Sequence, residues 1–178
     1  EGKKIILRAK PSLYAARGEF QIIGDDVKLM GIGEQELLLR QLKEKLKTKG
    51  YFNQERKRAI PPFPNRIGLV TSATGSAVRD MLEVLGKRWP MAEIWISPAR
   101  VQGDAAPSEI AKAIKLLNCA SLIENSKIDV MVVGRGGGSS EDLGAFNSEI
   151  VADALFESLI PTVSAVGHED DFTLADLI

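Results

Sequence analysis

The chain has 178 residues, enough for one full domain and a smaller piece. Hydrophobic residues make up 44%, ordinary for a globular fold, and the longest apolar runs, such as residues 128–133, are strand length, so no membrane span or membrane partner is expected. The net charge of −1 hides an asymmetry: residues 1–64 carry 14 Lys/Arg against 8 Asp/Glu, a surplus of six, and residues 65–178 carry 9 against 16, a deficit of seven.

Two strands are expected first, over residues 4–10 and 19–29, where β-branched and apolar residues dominate and Pro11 and Gly18 mark the breaks. Residues 34–49 place Leu37, Leu38, Leu42 and Leu46 at helical spacing, and Gly50 is a helix stop. Lys43, Lys45, Lys47 and Lys49 are either the wet face of that helix or a surface that attracts phosphate. Ile60-Pro61-Pro62-Phe63-Pro64 cannot be regular structure and reads as a stiff connection between modules. The expected domains are therefore residues 1–64 and 65–178.

Beyond the prolines the pattern becomes regular. Strands are expected over 66–71, 93–97, 128–133 and 161–166. Helices are expected over 75–88, 107–118 and 140–158, and a last one starts near Thr173. Strands alternating with helices imply right-handed crossovers. The fold class is α/β: a parallel sheet of about four strands with helices on both faces, in Rossmann-like or flavodoxin-like layers. Strands that are apolar throughout agree with a sheet covered on both faces.

In such sheets ligands bind outside the carboxyl ends of the strands. Residues 71–80 follow the first strand of the second module, with Thr71, Ser72, Thr74 and Gly75 leading into a helix start. Backbone N–H groups there can hold a phosphate, with Arg79 beside them; an ordinary turn capped by Thr or Ser is the plainer alternative. Asp80 falls in about the first turn of that helix.

Gly134-Arg135-Gly136-Gly137-Gly138-Ser139 follows the third strand. Consecutive glycines suit a close approach of backbone to a ligand, and Arg135 among them suits an anion. It is neither a Walker loop nor a dinucleotide fingerprint. The sole histidine, His168, follows the fourth strand and precedes Glu169, Asp170 and Asp171. A carboxylate beside an imidazole fixes its tautomer and raises its basicity, although Asp171 or Thr173 could equally be a helix cap.

Asp80, Arg135, His168 and Asp171 thus form one set at one sheet edge. An imidazole with a carboxylate partner can move protons, and a guanidinium with glycine N–H groups can hold phosphate oxygens, as phosphodiester hydrolysis requires. There is no nucleophile elbow for serine chemistry, and one histidine and one distant cysteine do not make a zinc site. Two other readings stay open. One is a nucleotide- or phosphate-binding module without hydrolysis. The other is a metal-dependent nuclease holding Mg²⁺ on Asp80, Glu169, Asp170 and Asp171.

Several runs together resemble the large subunit of exodeoxyribonuclease VII: residues 66–72, Thr74-Gly75, Arg79-Asp80, residues 101–103, residues 133–139 with Glu141-Asp142-Leu143 and Phe146-Asn147, and residues 164–169 with Asp171-Phe172-Thr173 and Ala175-Asp176. The likeness reaches upstream through Ser12-Leu13-Tyr14, residues 17–21 and Gly31-Ile32-Gly33. It implies an exonuclease subunit that hydrolyses single-stranded DNA from both ends to acid-soluble oligonucleotides. It implies that residues 1–64 end an OB-fold, and that a small subunit is recruited through a C-terminal helical region outside this sequence. It implies catalytic roles for Asp80, Arg135, His168 and Asp171, and no required metal, Mg²⁺ being at most optional.

Three positions depart from the family pattern: Gly144 stands for a usual tryptophan, Asp170 for a common threonine and Ala73 for a frequent proline. The opening residues 1–4 read as a cut within a longer chain. Without the helical region that the resemblance implies for recruiting the small subunit, the isolated piece is expected to be weak or inactive. A single cysteine, Cys119, agrees with a cytoplasmic setting.

Overall fold

The computed structural model describes residues 5–14, 19–29, 32–135, 140–167 and 172–178. The chain forms two compact units, residues 1–44 and 45–178, and the break falls inside a helix rather than after the prolines.

In the first unit, β1 (Ile5–Tyr14) and β2 (Glu19–Leu29) pair antiparallel, with Tyr14 opposite Glu19, Ile5 opposite Leu29, and a register shift between Arg8 and Ala9. Phe20 and Ile22 on β2 are largely exposed. Helix α1 (Ile32–Thr48) follows. Its expected apolar stripe is only partly used: Leu46 is fully buried, whereas Leu37 and Leu38 are more than half exposed. Helical spacing predicts which residues share a face, but not whether anything covers that face.

The second unit starts with the last turn of α1. Gly50 adopts φ +79°, with the Tyr51 N–H bonded to the Leu46 carbonyl, which is how a glycine closes a helix. The segment that follows packs onto α4 (Glu149–Glu157). The Tyr51 ring stacks on Phe156 with centroids 3.7 Å apart, and its hydroxyl donates to Asp153 at 2.7 Å. That bond, followed by burial and nearby carboxylates, pushes the phenol up to about 12. On the Phe156 ring the Arg56 guanidinium lies 3.4 Å from the centroid. Glu149 accepts from Lys45 at 2.8 Å, chiefly for that reason its carboxyl lies below its ordinary range. Pro64 accepts from the Trp89 indole at 2.8 Å. These contacts explain why the unit begins at Lys45 rather than residue 65: the proline stretch is stiff, but it lies on the unit instead of linking two bodies.

The sheet holds four parallel strands, β3 (Arg66–Thr71), β4 (Glu93–Pro98), β5 (Val130–Gly134) and β6 (Thr162–Ala165), in the order β4-β3-β5-β6. Strands alternate sides by twos. Ile67, Leu69 and Val130 pack with Met81, Leu85 and Trp89 on the face of α2 (Ser76–Arg88). Val70, Met131 and Val133 pack on the other face, within the core of α3 (Ala106–Ser121) and α4. The central strands are buried on both faces, while the edge strands β4 and β6 are only partly covered.

One helix was expected over 140–158. Instead a 3₁₀ segment, Ser140–Asn147, precedes α4. Ser148 breaks the run: its hydroxyl donates to the Ala145 carbonyl and accepts from the Val151 N–H, an N-cap arrangement. Helix α5 (Leu174–Leu177) ends the described chain. Among the described residues no helix is long and apolar enough to cross a membrane.

Candidate active site

The strand order, written by position along this unit, is second-first-third-fourth. Connections therefore leave β3 and β5 in opposite directions, and the crevice beyond their carboxyl ends is where α/β sheets of this order hold ligands. One step past the paired Val70 and Val133, Thr71 stands level with Gly134, which pairs with Ala165 on β6, while Thr71 pairs with Pro98 on β4. Four strand ends thus form one row.

Gly134 is required at that row by packing. A Cβ there would run into the carbonyl oxygen of Ala165, and would lie 2.8 Å from the Ala165 Cβ and 2.9 Å from the Met81 Cε. This close approach brings α2 against the end of β5, and Asp80 immediately precedes Met81 on that helix. Arg135 follows. Its N–H donates to the Ala165 carbonyl at 3.1 Å, and its Nε donates to the Val166 carbonyl at 3.4 Å. The guanidinium is half-buried and tied to the backbone that leads into His168.

The β3 end is arranged differently. Thr71 is fully buried and its hydroxyl has no hydrogen-bond partner among the described residues, so it does not open toward solvent. Ser72 is half-buried and Thr74 exposed. Gly75 occupies the N-cap of α2, so no serine or threonine side chain caps the helix. That leaves its first N–H groups without the side-chain acceptor that an ordinary turn would supply. Arg79 and Asp80 are exposed, and Asp80 is the fifth helical residue, past the first turn in which an acid serves only the dipole.

The remaining candidates, Gly136, Gly137, Gly138, Ser139, His168 and Asp171, lie outside the described residues, as do Glu169 and Asp170. The chain on either side of them is described. After the 168–171 stretch, Thr173 is buried and its N–H and hydroxyl both donate to Asp176, at 2.6 and 2.7 Å. The Leu174 N–H donates to Oδ1 of Asn147 at 2.9 Å. Thr173 is thus the cap of α5. Sequence reasoning gave Asn147 no role; its only signal was its place beside Phe146 in a shared run.

A parallel α/β unit with an anchored arginine at its row of strand ends and an acid on the adjoining helix is of the class whose strand-end geometry can hold an anion. The particular family follows from comparison. The sequence model described as "Exonuclease VII, large subunit" matches residues 51–178, a stretch that starts near the head of the second compact unit. The chain is 47% identical over 178 residues to the exodeoxyribonuclease 7 large subunit of Syntrophomonas wolfei, covering all of this chain and 43% of that protein. Identity is 49% to the protein of that name from Geotalea uraniireducens, covering 39% of it, and 46% to that from Nautilia profundicola, covering 40%. The chain belongs to the exonuclease VII large-subunit family, and it spans about two fifths of the length of these curated relatives.

Proposed function

We propose that the whole protein of which this chain is part hydrolyses the phosphodiester bonds of single-stranded DNA, from both ends, to acid-soluble oligonucleotides. The observation that carries this reading is Arg135: it sits at the switch point with its guanidinium tied to the Val166 carbonyl, two residues before the only histidine of the chain. A guanidinium held there can take the non-bridging oxygens of a phosphate, and stabilise the charge that grows on them. His168 is the proton carrier and Asp171 its orienting carboxylate. Asp80 faces the attacking water or the leaving oxygen from α2. Backbone N–H groups of residues 134–139 and of the α2 start, with Ser72, Thr74 and Arg79, hold neighbouring phosphates.

On this reading no divalent metal is required. The first unit, residues 1–44, ends an OB-fold that binds single strands, a small subunit assembles on parts of the protein outside this sequence, and the enzyme works in the cytoplasm. The test uses the full-length large subunit assembled with its small subunit and end-labelled single-stranded DNA. His168→Ala lowers the cleavage rate by about 10³-fold, within the range for loss of a general acid–base. Undiminished cleavage removes His168 from the mechanism. Cleavage abolished by excess chelator replaces this account with the Mg²⁺ arrangement.

A further inference from the structure

Among the described residues β6 pairs only with β5, and a groove runs along it on the side of α4. A cavity of about 220 Å³ has Thr162 and Ser164 of β6 on one wall and Leu155 and Phe156 of α4 on another. A second cavity, of about 540 Å³, shares Arg58, Ile160 and Pro161 with the first and continues to Lys127 before β5. At its upper end the groove reaches Ser164, the residue before Ala165, whose carbonyl accepts from the Arg135 N–H. It therefore starts one residue from the row of strand ends. From Ala165 down to Pro161 the strand runs about 13 Å, at about 3.3 Å per residue. A single phosphate fills only part of that length, whereas a polymer can follow all of it.

Three consecutive cations, Arg56, Lys57 and Arg58, border this groove. Arg56 is fixed: its guanidinium lies on the Phe156 ring, and its Nη2 donates to the Phe156 carbonyl at 3.1 Å. The Tyr51 ring stacks on Phe156 as well, so the segment that carries the cations is held against α4. Lys57 and Arg58 are exposed and make no ion pair among the described residues. By contrast Lys45, Arg66, Lys87, Arg100 and Lys115 each meet a carboxylate. The two acids that line the groove are engaged elsewhere. Asp176 accepts from the Thr173 N–H and hydroxyl, and Asp129 accepts from the N–H groups of Asn65 and Arg66. Adjacent cations without counter-charges repel one another, and an anion laid between them relieves that repulsion.

We propose that this groove holds the backbone of the single-stranded substrate on its way to Arg135, with Lys57 and Arg58 on its phosphates. The identity of the strand rests on the hydrolytic reading above. A cationic groove longer than one phosphate suits a polyanion, and contacts to phosphates alone are indifferent to base sequence.

The experiment compares the full-length large subunit, assembled with its small subunit, with the variant Lys57→Gln/Arg58→Gln in the same assembly. Binding of a fluorescent single-stranded DNA oligonucleotide is measured over a range of salt concentrations, and kcat and KM are measured on the same strand. Both side chains are exposed, so the substitutions leave the fold intact. The expected slope of log affinity against log salt is shallower by about 1.4, from two phosphate contacts at about 0.7 each. KM rises roughly 10-fold while kcat stays within about twofold, because such contacts are made equally before and during the reaction. A control, Arg88→Gln/Lys112→Gln, removes the same charge from α2 and α3 and keeps the wild-type slope and KM. The proposal is overturned if the Lys57/Arg58 variant keeps the wild-type slope, or if the control changes as much, which would reduce the effect to net charge. A wild-type enzyme that binds the strand through these residues but does not cleave it sinks the hydrolytic reading and leaves the groove standing.

Discussion

The ends of β3 and β5 lie side by side, yet they hold their functional candidates in opposite ways. At β5, packing and hydrogen bonds leave little choice: Gly134 has no room for a side chain, and Arg135 is bonded to two carbonyls of the neighbouring strand end. At β3, the Thr71 hydroxyl is buried, while Arg79 and Asp80 stand exposed on a helix whose N-cap is a glycine. The contrast is physical. A group that must meet developing charge gains most from being fixed beforehand, since it then needs no reorganisation during the reaction. A group that hands over a proton or steers water can be solvated until substrate arrives.

The sharpest way to break this comparison is Gly134→Ala. The new methyl meets the Ala165 carbonyl oxygen and Cβ as well as the more yielding end of Met81, so the β5–β6 edge must part. A loss of about 3 kcal/mol in urea unfolding is expected, together with loss of cleavage by the assembled enzyme. An unchanged midpoint would show that the β5 end yields as easily as the β3 end.

Arg135→Lys and Asp80→Asn compare the two ends directly. Lysine keeps the charge but loses the planar fork and the Nε donor, so the rate on single-stranded DNA falls about 10²- to 10³-fold. Asp80→Asn, on the solvated side, lowers it about 10²-fold without changing the melting temperature. Equal melting losses in both variants would contradict the difference in anchoring.

Smaller effects come from the rest of the unit. Tyr51→Phe removes the bond to Asp153, at a cost of about 1 kcal/mol in thermal unfolding. The Tyr51 phenol is raised from 10.0 to about 12, so its protonated form is favoured in the folded state. That contribution is complete below pH 10 and lost as pH rises through about 12, and the gap between wild type and variant closes over that interval. A gap that persists past pH 12 would detach the bond from the titration. Last, Thr71→Val replaces a buried hydroxyl without a partner among the described residues by a methyl of similar size. Stability should stay level or rise by about 0.5 kcal/mol, and cleavage should be unchanged. Lost cleavage would return Thr71 to the phosphate-binding set.

Much of the fold was legible in the residues. The alternation of apolar strands and amphipathic helices requires a parallel sheet, and β2 and β3 start and stop where residues 19–29 and 66–71 said they would. Gly50 and Pro107 act as helix punctuation because glycine tolerates positive φ and proline suits a first turn. These are local effects, carried by a few neighbouring residues. Which strands are adjacent, that the prolines belong to the second unit, that Leu37 and Leu38 stay exposed, and that Ser148 divides residues 140–158 were not legible. Each depends on partners distant in the chain or on competing local hydrogen bonds.

The same division runs through the site. Residue types at strand ends are a property of the sequence alone, because any parallel α/β sheet opens its crevice at the carboxyl ends; that placed Asp80 and Arg135 at one edge before any coordinates. Only the tertiary structure decided that Gly134 must be glycine, that Thr71 is enclosed, that Arg135 bonds the strand leading to His168, and that Asn147 bonds the backbone beyond Asp171. Those facts arise from the approach of segments up to about fifty residues apart, and sequence periodicity contains no distance across a sheet.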